Sequence, residues 1–138
     1  MNCMVFNKIK MTLTEDFMDT LIEDTENKRI IVVNNLFICN MAINGNWFFE
    51  QALRQPDGVL PMESDLFPNL EVRCVFCTRD FVITDVVNGL SIVVKQNMFI
   101  DYYNHILCNI RKKENIENTN FVRKENLNNF NNKGENWK

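Results

Sequence analysis

The chain has 138 residues, of which 46% are hydrophobic and 24% are charged, and its formal net charge is −3 at pH 7. This composition is that of an ordinary globular domain, so it excludes a wholly disordered chain and a fibrous repeat. The sequence has no apolar run of about 18 residues and no signal-peptide core, so we expect a cytoplasmic protein without a membrane partner.

The first predicted element is a helix at about 14–24. Thr12 or Thr14 can cap this helix, and Glu15 stands three residues after Thr12, which is the spacing of a capping box. The apolar residues that follow fall on one helical face, as in an amphipathic helix.

The segment 29–43 is rich in β-branched and apolar residues. It predicts one or two buried strands, with a bend or turn at Asn34-Asn35. Asn46 can then cap a short helix over 47–55.

A loop is predicted over 57–69 because Pro61 and Pro68 interrupt it. Three strands are then predicted at 70–77, 80–87 and 90–95. Asn88-Gly89 lies between the last two strands, and this dipeptide is typical of a type I′ hairpin turn.

The last predicted element is a helix over 98–113, with an apolar stripe and three basic residues at its C-terminal end. Strands in the middle and helices at the ends indicate an α+β fold. We expect one small domain with a mostly antiparallel sheet of about 4–5 strands and 2–3 helices. The sequence shows no internal repeat.

Charge and asparagine content divide the chain into a domain over 1–114 and an extended arm over 115–138. Residues 1–110 have a charge balance of −6 and the remainder one of +3. Nine of the 22 asparagines fall in 115–138. Such a segment buries too little apolar surface to offset its chain entropy, so we expect it to be ordered by contact with another surface.

The arm combines basic residues with aromatic anchors, a combination that suits RNA or a protein groove. We expect phosphate contacts from Arg111, Lys112, Lys113, Arg123, Lys124, Lys133 and Lys138, and stacking or docking from Phe130 and Trp137. Two alternatives stay open: the arm is a solvated mixed-charge end, or its aromatic residues dock on its own domain.

Five cysteines without a secretory signal indicate reduced thiols. Cys74 and Cys77 form a CxxC pair, and His105 and Cys108 follow as HxxC on the last predicted helix. These four residues can supply a tetrahedral structural Zn²⁺ site. In the alternative, Cys74 and Cys77 point to opposite faces of a strand and bind nothing.

The sequence contains no catalytic motif. It has only four glycines and no phosphate-binding loop or dinucleotide fingerprint. The CxxC lies in or at the end of a strand, whereas a redox pair lies at a helix N-terminus. We therefore expect a non-enzymatic protein with no small-molecule substrate.

The chain is rich in Asn, Lys, Ile and Phe, and it carries a basic arm on an acidic body. In size, composition and charge layout it resembles the microsporidian dormancy factors. That resemblance implies a protein that sits on an idle ribosome, contacts rRNA and ribosomal proteins, and blocks translation by occupying a functional site. The competing prediction is a small zinc-bearing protein-interaction module.

Overall fold

The structure, a computed structural model, describes residues 3–117, with side chains described as far as Asn109. The chain divides into two compact units, residues 1–105 and residues 106–138. The predicted arm at 115–138 lies outside the described residues except for its first three, which continue the last helix to Glu117.

Within the described residues the protein consists of eight strands and two helices. In chain order they are β1 (Cys3–Phe6), β2 (Ile9–Leu13), β3 (Asp19–Asp24), β4 (Arg29–Asn34), α1 (Asn35–Leu53), β5 (Val59–Met62), β6 (Leu70–Val75), β7 (Asp80–Asp85), β8 (Leu90–Lys95) and α2 (Gln96–Glu117). The strands form two antiparallel sheets, ordered β1-β2-β3-β4 and β5-β6-β7-β8. The α+β prediction is confirmed, although two four-stranded sheets replace the single expected sheet.

The same topology occurs twice in the chain. Each copy is an antiparallel meander of four strands with a helix after the last strand. The second copy is displaced by 61 residues, from Asp19 to Asp80. Identical residues stand at Asp19/Asp80, Ile22/Ile83, Asp24/Asp85, Asn27/Asn88, Ile31/Ile92, Val32/Val93 and Val33/Val94. The expectation that the chain has no internal repeat is therefore wrong.

Backbone hydrogen bonds outside the ladders repeat with the same displacement. The Thr25 amide donates to the Lys8 carbonyl, and in the second copy the Val86 amide donates to the Asn69 carbonyl. Likewise the Asn35 amide donates to Met18, and the Gln96 amide donates to Arg79. All four bonds are 2.9–3.2 Å long. Because backbone bonds fix local geometry, the two copies share their local backbone geometry at these two positions as well as their strand order.

The first helix packs on the sheet of the other repeat, and the start of the second helix contacts both sheets. α1 lies against β5 and β6, and its Phe49 ring stacks on Phe81 of β7 with centroids 4.8 Å apart. In return, the Tyr102 hydroxyl in α2 lies 2.9 Å from Thr20 Oγ1 in β3. Phe99 in the first turns of α2 packs edge-on against Phe81 at 5.6 Å, so both helices contribute to one aromatic core.

The predicted first helix at 14–24 is wrong. The segment 19–24 is β3, and residues 14–18 form the turn that joins it to β2. In that turn the Asp16 carboxylate accepts bonds from the Thr14 hydroxyl at 2.6 Å and the Met18 amide at 3.0 Å. Ile9, Met11 and Leu13 are buried at alternate positions, and this period-two pattern outweighs the capping signal.

The strand predicted from residue 29 is confirmed as far as Asn34, but the bend or turn predicted at Asn34-Asn35 and any strand after it are wrong. The Asn34 side chain accepts the Leu36 amide at 2.7 Å, so it caps a helix that begins at Asn35 and is 19 residues long. A helical spacing of buried residues supports this assignment, because Phe37, Ile38, Met41, Gly45, Phe49 and Ala52 all face the core. The helix predicted at 47–55 is the last part of α1.

The remaining strands are close to prediction. β6, β7 and β8 fall within the predicted ranges, but the predicted loop at 57–69 contains β5. Pro61 is compatible with this strand because β5 is the edge of its sheet, where a missing N–H removes no ladder bond. The helix predicted at 98–113 is α2.

The connection between β7 and β8 is not a two-residue type I′ turn. Asp85 pairs with Leu90, which leaves a four-residue turn in which Gly89 alone has a positive φ, of 70°. Lys28 takes the matching conformation in the first repeat, with φ of 56°. The Asn-Gly pair therefore marks a hairpin as predicted, with the longer turn that both repeats use.

The two helices come closest where Gly45 of α1 meets Gln96 at the start of α2. A Cβ atom built on Gly45 would lie 2.7 Å from Gln96 Nε2 and 3.1 Å from Gln96 Cδ. The Gln96 side chain accepts a bond from Arg79 at 2.8 Å and donates one to Asn46 at 3.0 Å. A larger residue at position 45 must displace this bonded side chain.

We predict that Gly45→Leu lowers the free energy of unfolding by about 1–3 kcal/mol, because overpacking at this crossing breaks the Gln96 bonds. Urea denaturation of this variant measures the change. Asn44→Leu is the matched control, since Asn44 is exposed on the same helix. Equal midpoints for the two variants would contradict a close approach at Gly45.

Burial in the core raises the pKa of Tyr102 to about 12, against an ordinary value of 10.0. The unfolded chain therefore releases this phenolic proton at lower pH than the folded chain, and stability falls as pH rises from about 10 to 12. Tyr103 is the only other tyrosine in the sequence.

We predict that the Tyr103→Phe variant shows no tyrosinate absorbance until the pH approaches 12 or the protein unfolds. A spectrophotometric titration measures this directly, and the same titration in guanidinium should return the ordinary tyrosine pKa. Ionisation of the native variant near pH 10 would contradict the burial of Tyr102.

Candidate functional site

The four predicted zinc ligands lie in different surroundings. Cys74 is a buried residue of β6, Cys77 is exposed in the turn after that strand, and Cys108 is exposed on α2. The ring of His105 is 6.5 Å from that of Tyr102, measured between centroids. The two thiols of the CxxC pair therefore differ in exposure, and Cys77 lies beyond the end of β6 at Val75.

The Cys74 thiol belongs to the core of the second sheet. It lies 3.0 Å from the sulfur of Met62, to which it donates a weak hydrogen bond. Burial raises the pKa of Cys74 to about 12 from an ordinary value of 9.0. Since zinc is bound by the thiolate, binding at Cys74 would have to release this proton.

Over the described part of the chain, no group of three or more His, Cys, Asp or Glu side chains is placed to hold a metal ion. The zinc site of Cys74, Cys77, His105 and Cys108 remains a prediction.

The predicted RNA-contacting residues cannot be placed. Arg111, Lys112 and Lys113 belong to α2, but their side chains lie beyond those described. Arg123, Lys124, Phe130, Lys133, Trp137 and Lys138 lie outside the described residues. In the region that the structure covers, neither helix is long and apolar enough to cross a membrane.

A groove that the sequence did not predict lies on the first unit. Its volume is about 440 Å³, and β4, the β5–β6 connection and the β7–β8 turn form its walls. We call it the β4 groove, and its lining residues are Ile30, Val32, Leu66, Phe67, Pro68, Asn69, Leu70, Asp85, Val87 and Asn88.

The β4 groove exposes aliphatic side chains to solvent. Leu66 is 74% exposed, Val87 72%, Val32 55% and Ile30 45%. Exposed apolar residues on a protein surface are usually scattered singly, whereas four aliphatic residues stand together around this concave site.

The walls of the β4 groove are held in place by local bonds. The Phe67 ring packs edge-on against Phe37 of α1 at 5.4 Å, which anchors the β5–β6 connection to the core. On the opposite wall, Asp85 accepts bonds from the Val87 and Asn88 amides at 3.0 and 3.2 Å. The Asn88 side chain bonds the same carboxylate, and these bonds lower the pKa of Asp85 below its ordinary value.

The internal repeat provides a comparison surface for the β4 groove. In the first repeat, Asn7 and Lys8 alone connect β1 to β2, and Lys8 forms a 2.9 Å ion pair with Glu26. Glu26 corresponds to Val87 of the groove. The second repeat has seven residues in this connection, from 63 to 69, which build one wall of the groove.

A second difference between the repeats concerns β4 and β8. Ile30 of β4 corresponds to Ser91 of β8, while Val32 corresponds to Val93. The groove is thus more apolar than the matching surface at two positions, where Ile30 replaces Ser91 and Val87 replaces Glu26. It also lacks the ion pair that Glu26 forms with Lys8. Sequence reasoning missed the groove because these differences become visible only after the repeats are aligned.

The β5–β6 connection, which forms one wall of the β4 groove, is acidic. Residues 63–69 contain Glu63 and Asp65, both exposed, and no lysine or arginine. Arg29 stands on β4 and donates to the Ser91 carbonyl of β8 at 3.0 Å, so its guanidinium is engaged between the two strands. The electrostatic character of the groove rim therefore favours a positively charged partner.

In comparisons with protein-family models, with curated proteins and with solved structures, no match to this chain was found.

We predict that iodoacetamide modifies Cys77 in the native protein at least about a hundredfold faster than Cys74, because little Cys74 thiolate exists at neutral pH. Mass spectrometry of the modified peptides measures both rates, and denaturation should bring the two rates close together. Equal rates in the native protein would contradict the burial of Cys74. Stoichiometric zinc with both thiols protected would instead support the metal site.

Proposed function

We propose that this protein is a non-enzymatic cytoplasmic factor that binds an idle ribosome and blocks translation by occupying a functional site. Two parts of the chain bind different components of the ribosome. The basic C-terminal segment contacts rRNA, and the acidic body contacts ribosomal proteins.

The observation that carries the proposal is the unequal distribution of charge. The balance of −6 over residues 1–110 opposes close approach to phosphates, whereas the balance of +3 over residues 111–138 favours it. A chain with an acidic body and a basic last segment can place that segment on rRNA while its body contacts the positively charged proteins of the ribosome.

The β4 groove supports the second half of this arrangement. Its exposed aliphatic walls, with Leu66 and Val87 each more than 70% exposed, suit a protein surface better than a phosphate backbone. The C-terminal segment offers aromatic side chains between basic ones, which suits single-stranded RNA. Contact with both a ribosomal protein and rRNA would hold the body across a site that tRNA or mRNA must enter.

Co-sedimentation with purified, vacant ribosomes tests the proposal. In a full-length variant with Arg123, Lys124, Lys133 and Lys138 changed to Gln, we expect weaker binding and a smaller dependence of binding on salt concentration, because fewer counterions are released. The wild-type chain should also inhibit translation in a cell-free system, and the variant should inhibit it less.

A matched variant keeps the number of substitutions but places them on the body, with Lys8, Lys10, Lys28 and Arg73 changed to Gln. It should keep the salt dependence of the wild-type chain. If the two variants sediment alike, or if the wild-type chain does not bind ribosomes, the proposed function is wrong.

A further inference from the structure

We propose that the β4 groove docks a protein segment in which aliphatic or aromatic residues are flanked by lysine and arginine. This inference concerns the partner of the body and rests on the proposed function only in placing that partner on a ribosome. The groove itself can be tested without ribosomes.

The apolar part of the proposal follows from the comparison of the two repeats. Both copies have the same strand order, so a residue type found in only one copy is not required by the shared fold. At the matched site of the first repeat, Lys8 and Glu26 form an ion pair across the short connection. The groove replaces Glu26 by Val87, which is 72% exposed.

The longer β5–β6 connection adds to the same surface. It supplies Leu66, the most exposed apolar residue of the groove, and its Ser64 hydroxyl accepts the Leu66 amide at 3.0 Å. The Phe67 amide in turn donates to the Ser64 carbonyl at 3.2 Å. The connection is thus a bonded turn that presents Leu66 outward from a fixed backbone, and such preorganisation lowers the entropy cost of binding.

The dimensions and polar groups of the groove fit a short stretch of peptide. A volume of about 440 Å³ lies in the usual range for sites that hold a few side chains. Asn69 and Asn88 both line the groove, and Asn88 uses its amide nitrogen to bond Asp85. Its carbonyl oxygen is a hydrogen-bond acceptor that can take a backbone N–H of the docked segment.

Charge complementarity selects a basic partner. The connection that builds the groove wall carries Glu63 and Asp65, both exposed, and Glu71 follows at the start of β6. Since residues 63–69 contain no basic side chain, a docked segment with flanking lysines or arginines meets the Glu63 and Asp65 carboxylates on this wall. Acidic peptides and phosphate backbones would be repelled.

The test uses the full-length chain and a fluorescein-labelled peptide, KRKLWLKRK, with KRKSSSKRK as the peptide control. Fluorescence anisotropy measures both affinities. We expect the apolar peptide to bind the wild-type chain more tightly than the control by roughly tenfold or more, the change expected when aliphatic or aromatic side chains become buried.

Matched variants locate the binding site. Val32→Ser should weaken binding of KRKLWLKRK by roughly tenfold, since it removes an aliphatic wall of the groove. Val93→Ser should leave the affinity unchanged, because Val93 has similar exposure, at 49% against 55%, and the same position in the other repeat, but does not line the groove. Circular dichroism verifies that both variants are folded.

A second pair of variants tests the charge of the rim. Glu63→Gln with Asp65→Asn should weaken binding of KRKLWLKRK and reduce its salt dependence, whereas Glu15→Gln with Asp16→Asn in the β2–β3 turn should not. Equal effects in either matched pair, or equal affinity for the two peptides, would overturn the inference.

Competition by an oligouridylate for the groove would also overturn the inference, since it would make the groove an RNA site. The peptide test and the ribosome test can fail independently. If the C-terminal variant sediments less with ribosomes but the wild-type chain binds no peptide, only the inference about the groove is wrong. If the wild-type chain binds the peptide but not ribosomes, only the proposed function is wrong.

Discussion

The aromatic core that α1, β7 and the start of α2 share is the constraint on which the first unit depends. Each sheet has a period-two apolar face, seen in the buried residues of β2 and β7, and such a face is stable only when another element covers it. α1 covers the second sheet and Tyr102 of α2 reaches the first. Residues of both copies therefore meet in one aromatic cluster, in which Phe49 of the first copy packs on Phe81 of the second and Phe81 packs on Phe99.

The sequence predicts the α+β class and three of the later strands, because alternation and turn residues are local signals. It misleads at 14–24, where Thr12 and Glu15 imitate a capping box although alternate burial of Ile9 and Met11 begins earlier. It also misleads at Asn34-Asn35, since asparagine favours both turns and helix caps and only the downstream spacing of buried residues decides between them.

The candidate site could not be predicted because it depends on differences between two distant segments. The groove joins β4 to the β5–β6 connection and the β7–β8 turn, and the exposure of Leu66 and Val87 is visible only in three dimensions. An alignment of DTLIEDTENKRIIVV with DFVITDVVNGLSIVV would have exposed the repeat, and with it the replacement of Glu26 by Val87. By contrast, the CxxC pattern is local in sequence, yet its two cysteines differ in exposure because Cys74 lies in the buried face of β6 and Cys77 lies in the turn after it.

The bond between Thr20 and Tyr102 joins residues 82 positions apart, and this distance affects the order in which a growing polypeptide can acquire its shape. At translation speeds of about 5–20 residues per second, Thr20 leaves the exit tunnel several seconds before Tyr102. During that interval the Thr20 hydroxyl lacks its Tyr102 partner. The bond closes only after the start of α2 has been synthesised, and a message truncated before α2 yields a chain that cannot form it.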